Sequence, residues 1–245
     1  MLPQVNRELM SKQLRDILLA EMRRGVFKGS KKLPSEEEMT KIFNVSRSVI
    51  RDTMLDMEKD GFVLRIRGIG TIINHHVLDV KVRLDWEIDY HSILHEMGIQ
   101  DIALRARMSI IEADWTLSDK LGVTINEEMI LCEKTVYADK TPAMFFTDCY
   151  AKSFLSGADT DAIDWDVSTF TILGQYSQTF IILSLTHVEA VGADSHLMEI
   201  FGVQEKTPLL FLDGIGYSRA GKPIVQSKVY YRNGMFDFTI LRKKH

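Results

Sequence analysis

Two groups of residues carry side chains suited to gripping a polyanion. The first is Ser46-Arg47-Ser48, with Arg51 one helical turn later. A guanidinium donates paired hydrogen bonds to a phosphate or to the O6/N7 edge of guanine, and a serine hydroxyl donates to phosphate oxygens. The second is Arg65 and Arg67 beside Gly68-Ile69-Gly70. Glycines at Gly68 and Gly70 permit a tight turn whose backbone can approach a ligand closely. Taken singly, an arginine pair on a helix is an ordinary solvated face, so the weight falls on the elements that would position these residues.

Those elements follow from periodicity. Residues 9–24 place Leu14, Ile17, Leu18 and Met22 at helical spacing, and Gly25 ends the helix. Residues 25–32 read as a turn-rich basic connector. After Pro34, Ser35-x-x-Glu38 is a capping box for a short helix whose apolar face is Met39, Ile42 and Phe43. Asn44 suits a left-handed helix end. Ser46 caps a further helix over 47–59, with Ile50, Met54 and Met57 inward and the Arg47, Ser48, Arg51 edge outward. Gly61 ends it, and residues 62–66 and 71–73 are short strands flanking the glycine turn. Helix, helix, short turn, helix and basic hairpin make a winged helix-turn-helix. That layout can set a helix N-terminus in the major groove and a basic wing against the DNA backbone.

Composition supports this division. The chain has 245 residues with 30 Lys+Arg and 34 Asp+Glu, a formal net charge of −4. A mildly acidic chain suits nucleic acid poorly, yet the charge is uneven. Residues 1–76 hold 14 basic and 10 acidic residues, a net +4, and the remainder carries −8. With 45 % hydrophobic and 26 % charged residues the chain is an ordinary globular one rather than a disordered tail. No run is long enough to span a membrane, and MLPQVNRELM lacks the apolar stretch of a signal peptide. Two cysteines, Cys132 and Cys149, are too few for a disulfide scaffold, so reduced thiols and a cytoplasmic location are expected.

Residues 77–89 read as a linker, with room for a short strand. Beyond it, strands are expected at 104–112, 129–138, 143–150, 180–189, 208–217, 223–231 and 235–241. Helices are expected at 90–97, 115–121, 168–177 and 193–201. Short links at Ala138-Asp139-Lys140-Thr141 and Arg219-Ala220-Gly221-Lys222 suit hairpins, hence a mostly antiparallel sheet. A weak repeat relates the two halves. Glu112-Ala113, Leu121-Gly122-Val123 and Pro142 return as Glu189-Ala190, Phe201-Gly202-Val203 and Pro223. Two such units would build one sheet with pseudo-twofold symmetry and a cleft for a ligand.

Catalytic and metal chemistry find little support. His75 and His76 are adjacent, so on a strand they point to opposite faces, and no ligand cluster joins them. His187 and Glu189 would share a strand face, an arrangement commoner in surface ion pairs than in acid–base catalysis. There is no nucleophile elbow and no glycine-rich phosphate loop. No enzyme, no metal and no cofactor is expected. The reading kept open beside this one is a small-molecule enzyme with an auxiliary DNA-binding domain.

The first part resembles the DNA-binding domain of GntR-type bacterial transcription regulators. The resemblance rests on Leu33-Pro34-Ser35-Glu36, Asn44 through Asp52, Glu58 through Phe62, and Arg67-Gly68-Ile69-Gly70-Thr71. It implies DNA contacts from Ser46, Arg47, Ser48, Arg51, Arg67 and Gly68, to which the wing and cap residues Arg65, Gly70 and Ser35 are added. The family usually has an arginine after Pro-Ser-Glu that touches DNA. This chain has Glu37, which cannot bind phosphate, so that contact is lost or changed. The second part is similar to the effector-binding domain of the HutC branch, which has a chorismate-lyase-like fold. The pieces are Ala138-Asp139-x-x-Pro142, Leu121-Gly122-Val123, Phe201-Gly202-Val203, Gly221-Lys222-Pro223 and Ser227 through Arg232.

The expected architecture is therefore α+β. It comprises a winged helix-turn-helix at 1–76, a linker at 77–89, and an effector-binding and dimerisation domain at 90–245. The resemblance also maps an effector pocket. Positions holding sugar phosphates in relatives fall on Tyr90-His91, Lys134, Val136, Phe146, Ser168, Phe170, Val225 and Tyr231. Both hydroxyl-gripping carboxylates are replaced, by Phe146 and Val225, and one arginine by Val136. A small effector that is apolar, or acidic through a single group facing Lys134 or His91, is expected instead of a sugar phosphate. The expected partners are double-stranded operator DNA, that effector and a second copy of the chain, with repression as the expected outcome.

Overall fold

The computed structural model describes residues 7–86, 89–177 and 179–243. Residues 1–6 of the expected first domain, 87 and 88 of the linker and 244–245 of the second domain lie outside them. The backbone forms two compact units, Met1–Arg83 with Thr239–His245, and Leu84–Phe238. This moves the boundaries read from sequence. Residues 77–83, expected as linker, and 239–243, expected in the second domain, belong to the first unit. The cause is apolar burial inside the expected linker, where Val77, Leu78 and Val82 are core residues.

The first unit starts with helix α1 (Arg7–Arg24), α2 (Glu36–Phe43) and α3 (Arg47–Lys59). Leu14, Leu18 and Met22 of α1, Met39 of α2, and Ile50, Met54 and Met57 of α3 form the shared core. Ile17 and Ile42, expected on those faces, are 49 % and 55 % exposed because each helix buries only a narrow stripe. Ser35 makes the capping box with Glu38, and Asn44 ends α2 in the left-handed region at φ 50°. Strands β1 (Val63–Ile66) and β2 (Gly70–Ile73) form the antiparallel wing. The expected connector contributes to it. Leu33 donates its N–H to Thr71 at 2.9 Å, and Ile73 donates to Lys31 at 3.1 Å. A short helix α4 (His75–Leu78) replaces the expected coil, and two-residue strand β3 (Val82–Arg83) follows.

The second unit is built on one sheet. It contains α5 (Tyr90–Glu96), β4 (Ile102–Glu112), α6 (Trp115–Leu121), β5 (Glu128–Ala138) and β6 (Thr141–Ala151). After two 3-10 turns come α7 (Thr169–Tyr176), β7 (Ile181–Gly192), α8 (Ser195–Phe201), β8 (Pro208–Ser218) and β9 (Pro223–Arg232). The expected strand at 235–241 shrinks to β10 (Phe238–Thr239), because Gly234 turns the chain at φ 76° and residues from Thr239 join the first unit. The six strands run in the order β4-β5-β6-β9-β8-β7, all neighbours antiparallel. The order reads the same from both edges, as the weak repeat predicts.

The repeat is strongest around the helix that follows each half's first strand. Asp114 and Asp194 cap α6 and α8 by accepting from Leu117 and Leu197, and Gly122 and Gly202 end them in the left-handed region. Ala113 and Ala193, both buried, exchange backbone hydrogen bonds with the segment that enters the next strand. Asp114→Ala and Asp194→Ala should each cost about 1 kcal/mol, the usual value of a helix cap. Chemical denaturation of the two variants checks both the size of the loss and its equality.

Candidate nucleic-acid interface and effector site

Helix α3 presents the first candidate surface. Ser46 sits in extended conformation and accepts from the Val49 N–H at 3.3 Å, and the Ser46 and Ser48 hydroxyls share a hydrogen bond of 2.8 Å. Val49, Ile50 and Thr53 turn inward, so Arg47 and Arg51 are left exposed on the outer face. Arg47 is 4.0 Å from the Glu37 carboxylate, which also holds Lys41 at 3.2 Å. The residue that departs from the family pattern thus faces a residue expected to read DNA.

The wing differs in one respect from expectation. Arg67 is exposed beside Gly68 and Gly70, whose φ values are 79° and 110°, and a side chain there would meet only open space. Lys32 anchors the tip by donating to the Ile69 carbonyl at 3.0 Å. Arg65, expected with the DNA contacts, is instead a strut. Its N–H and its Nε donate to Glu58 at 3.0 and 2.8 Å, and its Nη1 lies 3.8 Å from Glu36. Ser35 is exposed, but its hydroxyl and N–H are both engaged by Glu38.

Glu58 has a carboxyl held below its ordinary value of 4.5. Burial works against this, and the hydrogen bonds from Arg65 together with the charges of Arg65 and Lys243 outweigh it. A lowered carboxyl stabilises the fold above its ordinary range, and the gain is lost as pH falls through the lowered value. The wing should therefore stay docked on α3 at neutral pH and loosen as pH falls below the ordinary carboxylate range. Hydrogen exchange of β1 and β2 across that interval checks this, and Glu58→Gln should remove the pH dependence.

The second candidate site lies on one face of the sheet. Along β6, Phe146, Asp148 and Tyr150 share that face, opposite Val229, Ser227 and Val225 of β9 and Lys134, Cys132 and Ile130 of β5. Of the expected effector residues, Tyr90, Val136, Phe146 and Tyr231 come together in one buried cluster with Leu94. Lys134 is fully buried beside it, with Nζ 5.9 Å from the Phe146 ring centre. Val225 is buried in the neighbouring cluster with Tyr150, Ile172 and Leu173. The other three are not brought in. Ser168 caps α7 and is half-buried, Phe170 is 42 % exposed, and His91 is exposed.

Between the two clusters is a polar centre of which the sequence pointed only to Lys134. Asp148 is buried and accepts from the Thr169 hydroxyl and, at 2.6 Å, from the Ser227 hydroxyl. Lys134 donates to the Val167 carbonyl at 2.5 Å and to Thr169 at 3.4 Å. Burial pushes the Asp148 carboxyl up, and the Ser227 and Thr169 hydrogen bonds and the Lys134 charge counter it. The available signal was a lone carboxylate in the otherwise uncharged run Phe145-Phe146-Thr147-Asp148-Cys149-Tyr150. Tyr90 and Tyr150 each bury a hydroxyl with no hydrogen-bond partner among the described residues. Burial, with the charges of Asp89, Asp166 and Asp164, raises the Tyr90 hydroxyl to about 12.

Other sequence candidates fall elsewhere. His75 donates its Nε2–H to the Ser30 carbonyl at 2.9 Å, and no metal-holding group of His, Cys, Asp and Glu occurs among the described residues. His187 and Glu189 are exposed on β7. Cys132 and Cys149 are free and buried, and burial raises both thiols to about 11, a setting that makes them inert. A groove of about 390 Å³ lies at Glu127, Glu128, Lys152, Gly157 and Thr160, and none of the expected effector residues lines it.

Comparison with known proteins decides the family. Residues 10–73 match the family of bacterial regulatory proteins, gntR family, and residues 106–237 match the UTRA domain, which alone spans more than half of the chain. The chain is a GntR-family regulator with a UTRA domain. It is 25 % identical over 228 residues to the uncharacterized HTH-type transcriptional regulator YurK of Bacillus subtilis, covering 93 % of each chain. It is 22 % identical over 243 residues to the probable fructoselysine utilization operon transcriptional repressor of Escherichia coli K12, covering 97 % of this chain and 96 % of the other. Its fold matches the crystal structure of YydK, a possible transcriptional regulator of Bacillus subtilis. The TM-score there is 0.75 at 16 % identity, over 98 % of this chain and 100 % of that one. PhnF of Mycobacterium smegmatis matches with a TM-score of 0.60 at 21 % identity, over 96 % and 100 %. This GntR regulator is a DNA-binding transcription regulator governed by a small-molecule effector, and no helix among its described residues is long and apolar enough to cross a membrane.

Proposed function

We propose that this regulator is a cytoplasmic, homodimeric repressor of the HutC branch without catalytic activity, and that it reads paired half-sites through the first turn of α3. The observation that carries the reading is the first turn of α3, where Ser46, Arg47 and Arg51 are exposed and Ser48 half-buried, on a helix whose other face is core. Arg67, Gly68 and Gly70 form the accompanying wing contact. Ser35 and Arg65 serve the interface by holding α2 and the wing in place. A homodimer draws support from β7, which ends the sheet and exposes Leu183, Leu185 and Val188 along an edge that two copies related by a twofold axis could share.

The effector in this reading meets the second unit where Tyr90, Phe146 and Tyr231 adjoin Lys134. It is small and largely apolar, with at most one acidic group. The apolar cluster supplies the surface, Lys134 the single cation, and the unpartnered Tyr90 hydroxyl a donor that a ligand oxygen would satisfy. The fructoselysine repressor among the relatives concerns a sugar–amino acid conjugate, so that class belongs in the test.

Two measurements decide. Arg47→Ala and Arg51→Ala should each cost roughly 1–3 kcal/mol on a duplex selected by the wild-type protein, if each arginine grips a guanine. Unchanged binding of both variants across a salt titration would remove the recognition-turn assignment. A thermal-shift panel of aromatic acids, short aliphatic acids, sugar phosphates and sugar–amino acid conjugates should give its largest rise with an apolar monoacid. Loss of that rise in Lys134→Met ties it to the site, and a rise with a sugar phosphate alone contradicts it.

A further inference from the structure

We propose that Leu241 and Lys243 are positioning residues for the recognition helix, so that the DNA affinity of α3 depends on a segment of chain that returns from the UTRA unit. The inference extends the recognition-turn reading, because it concerns what orients that turn.

The C-terminal end of α3 shows why such a device is needed. A helix end leaves its last carbonyls without intrahelical partners, and these must be satisfied by other groups. Here the Phe62 N–H returns to Met57 at 2.9 Å and the Gly61 N–H to Glu58 at 3.1 Å, with Gly61 in the left-handed region at φ 82°. Three carbonyls then take cationic donors from distant sequence. Lys243 Nζ donates to Glu58 at 3.0 Å, 185 residues away in sequence, and also to Lys59. Arg83, almost wholly buried, donates to the Asp60 carbonyl at 2.7 Å. Positive charge is favoured at this end of a helix by the aligned peptide dipoles.

Packing adds a second, independent contact. Leu241 lies against Gly61, and a Cβ on Gly61 would come within 2.6 Å of Leu241 Cδ2. Gly61 is therefore constrained twice, by its backbone conformation and by this close approach. Glu58 then carries the contact to the wing. Its backbone carbonyl accepts from Lys243, while its carboxylate holds the N–H and guanidinium of Arg65. One residue thus joins the returning segment, α3 and β1. The chain crosses between the units after Arg83 and again after Phe238. Arg83 and Lys243, which flank those crossings, both end on the terminus of α3.

The test uses the full chain and a duplex selected by the wild-type protein from a randomised pool. Lys243→Ala, Leu241→Ala and the double variant are compared with Lys243→Arg. The double variant should speed amide exchange at 57–62 and weaken duplex binding roughly three- to tenfold, with Lys243→Arg close to wild type. The dependence of affinity on salt should keep its slope, since a positioning residue removes no phosphate contact. Unchanged exchange and affinity in the double variant would overturn the proposal. So would a slope reduced by about one, which would make Lys243 a direct phosphate ligand. Should Arg47→Ala and Arg51→Ala leave binding intact, the recognition-turn reading fails instead, and the exchange comparison still decides whether the segment orders α3.

Discussion

The second unit depends on the pairing of β6 with β9, because that ladder is all that joins its two three-stranded halves into one sheet. Asp148 stands opposite Ser227 at the middle of the ladder. Moving a carboxylate out of water is costly unless hydrogen bonds replace the lost hydration. Asp148 obtains them from Ser227 on the neighbouring strand and from Thr169 at the start of α7. A slip of one residue would turn Asp148 to the opposite face and expose the row Phe146, Asp148, Tyr150 to the wrong helices. The buried acid therefore fixes both the register at the pseudo-twofold axis and the seat of α7. The apolar residues around it would tolerate several arrangements, and the carboxylate tolerates few.

The first unit uses charge differently. Its net positive charge, read from sequence, overstates what is available to a polyanion. Arg15 is bound to Asp60, Arg65 to Glu58 and Glu36, and Arg83 to a backbone carbonyl. Arg51 and Arg67 remain exposed, and among the described residues Arg47 has the distant Glu37 as a partner. An exposed pair at that separation contributes little to stability. It does place a negative charge next to Arg47, so under the proposed recognition role Arg47 would exchange one acceptor for another on meeting DNA. In that proposed role Glu37 would penalise duplexes that offer Arg47 no good acceptor more than those that offer a guanine edge, which is how a repulsive element sharpens discrimination.

Local signals carried most of the fold. The capping box at Ser35, the cap at Ser46, the left-handed Asn44 and the Gly-x-Gly wing are each settled by a few neighbouring residues, and each stands where the sequence places it. The repeat was legible because caps and turns recur at matching positions. What was not legible depends on contacts between residues far apart in sequence. Arg65 looks like a wing arginine until Glu58 is seen beside it. Residues 77–83 look like a linker because the partners that bury Val77 and Val82 lie elsewhere. The return of residues 239–243 to the first unit leaves no periodic trace, since five residues bury too little to show a pattern. In the proposed effector site, Val136, Phe146 and Tyr231 were named through the family resemblance and lie on strands whose alternation turns them inward, whereas Ser168 and Phe170 depend on the rotation of α7, which no local rule sets.

The state of the proposed effector site constrains how a ligand could act there. Lys134 already donates to the Val167 carbonyl and Thr169, and Tyr90, Phe146 and Tyr231 are packed in one buried cluster. A ligand cannot simply enter, because it must displace one of these partners. An acidic group that takes Lys134 releases the Val167 carbonyl and weakens the hold on the first turn of α7, while Asp148 keeps Thr169. Binding energy is then divided between contact and displacement, and only an effector that favours the displaced arrangement shifts the population toward it. An apolar ligand without the acidic group would have to part the aromatic cluster instead, and would leave Lys134 on the Val167 carbonyl and α7 seated. If the proposed site is the effector site, the charge on the ligand, more than its size, would decide whether α7 is released.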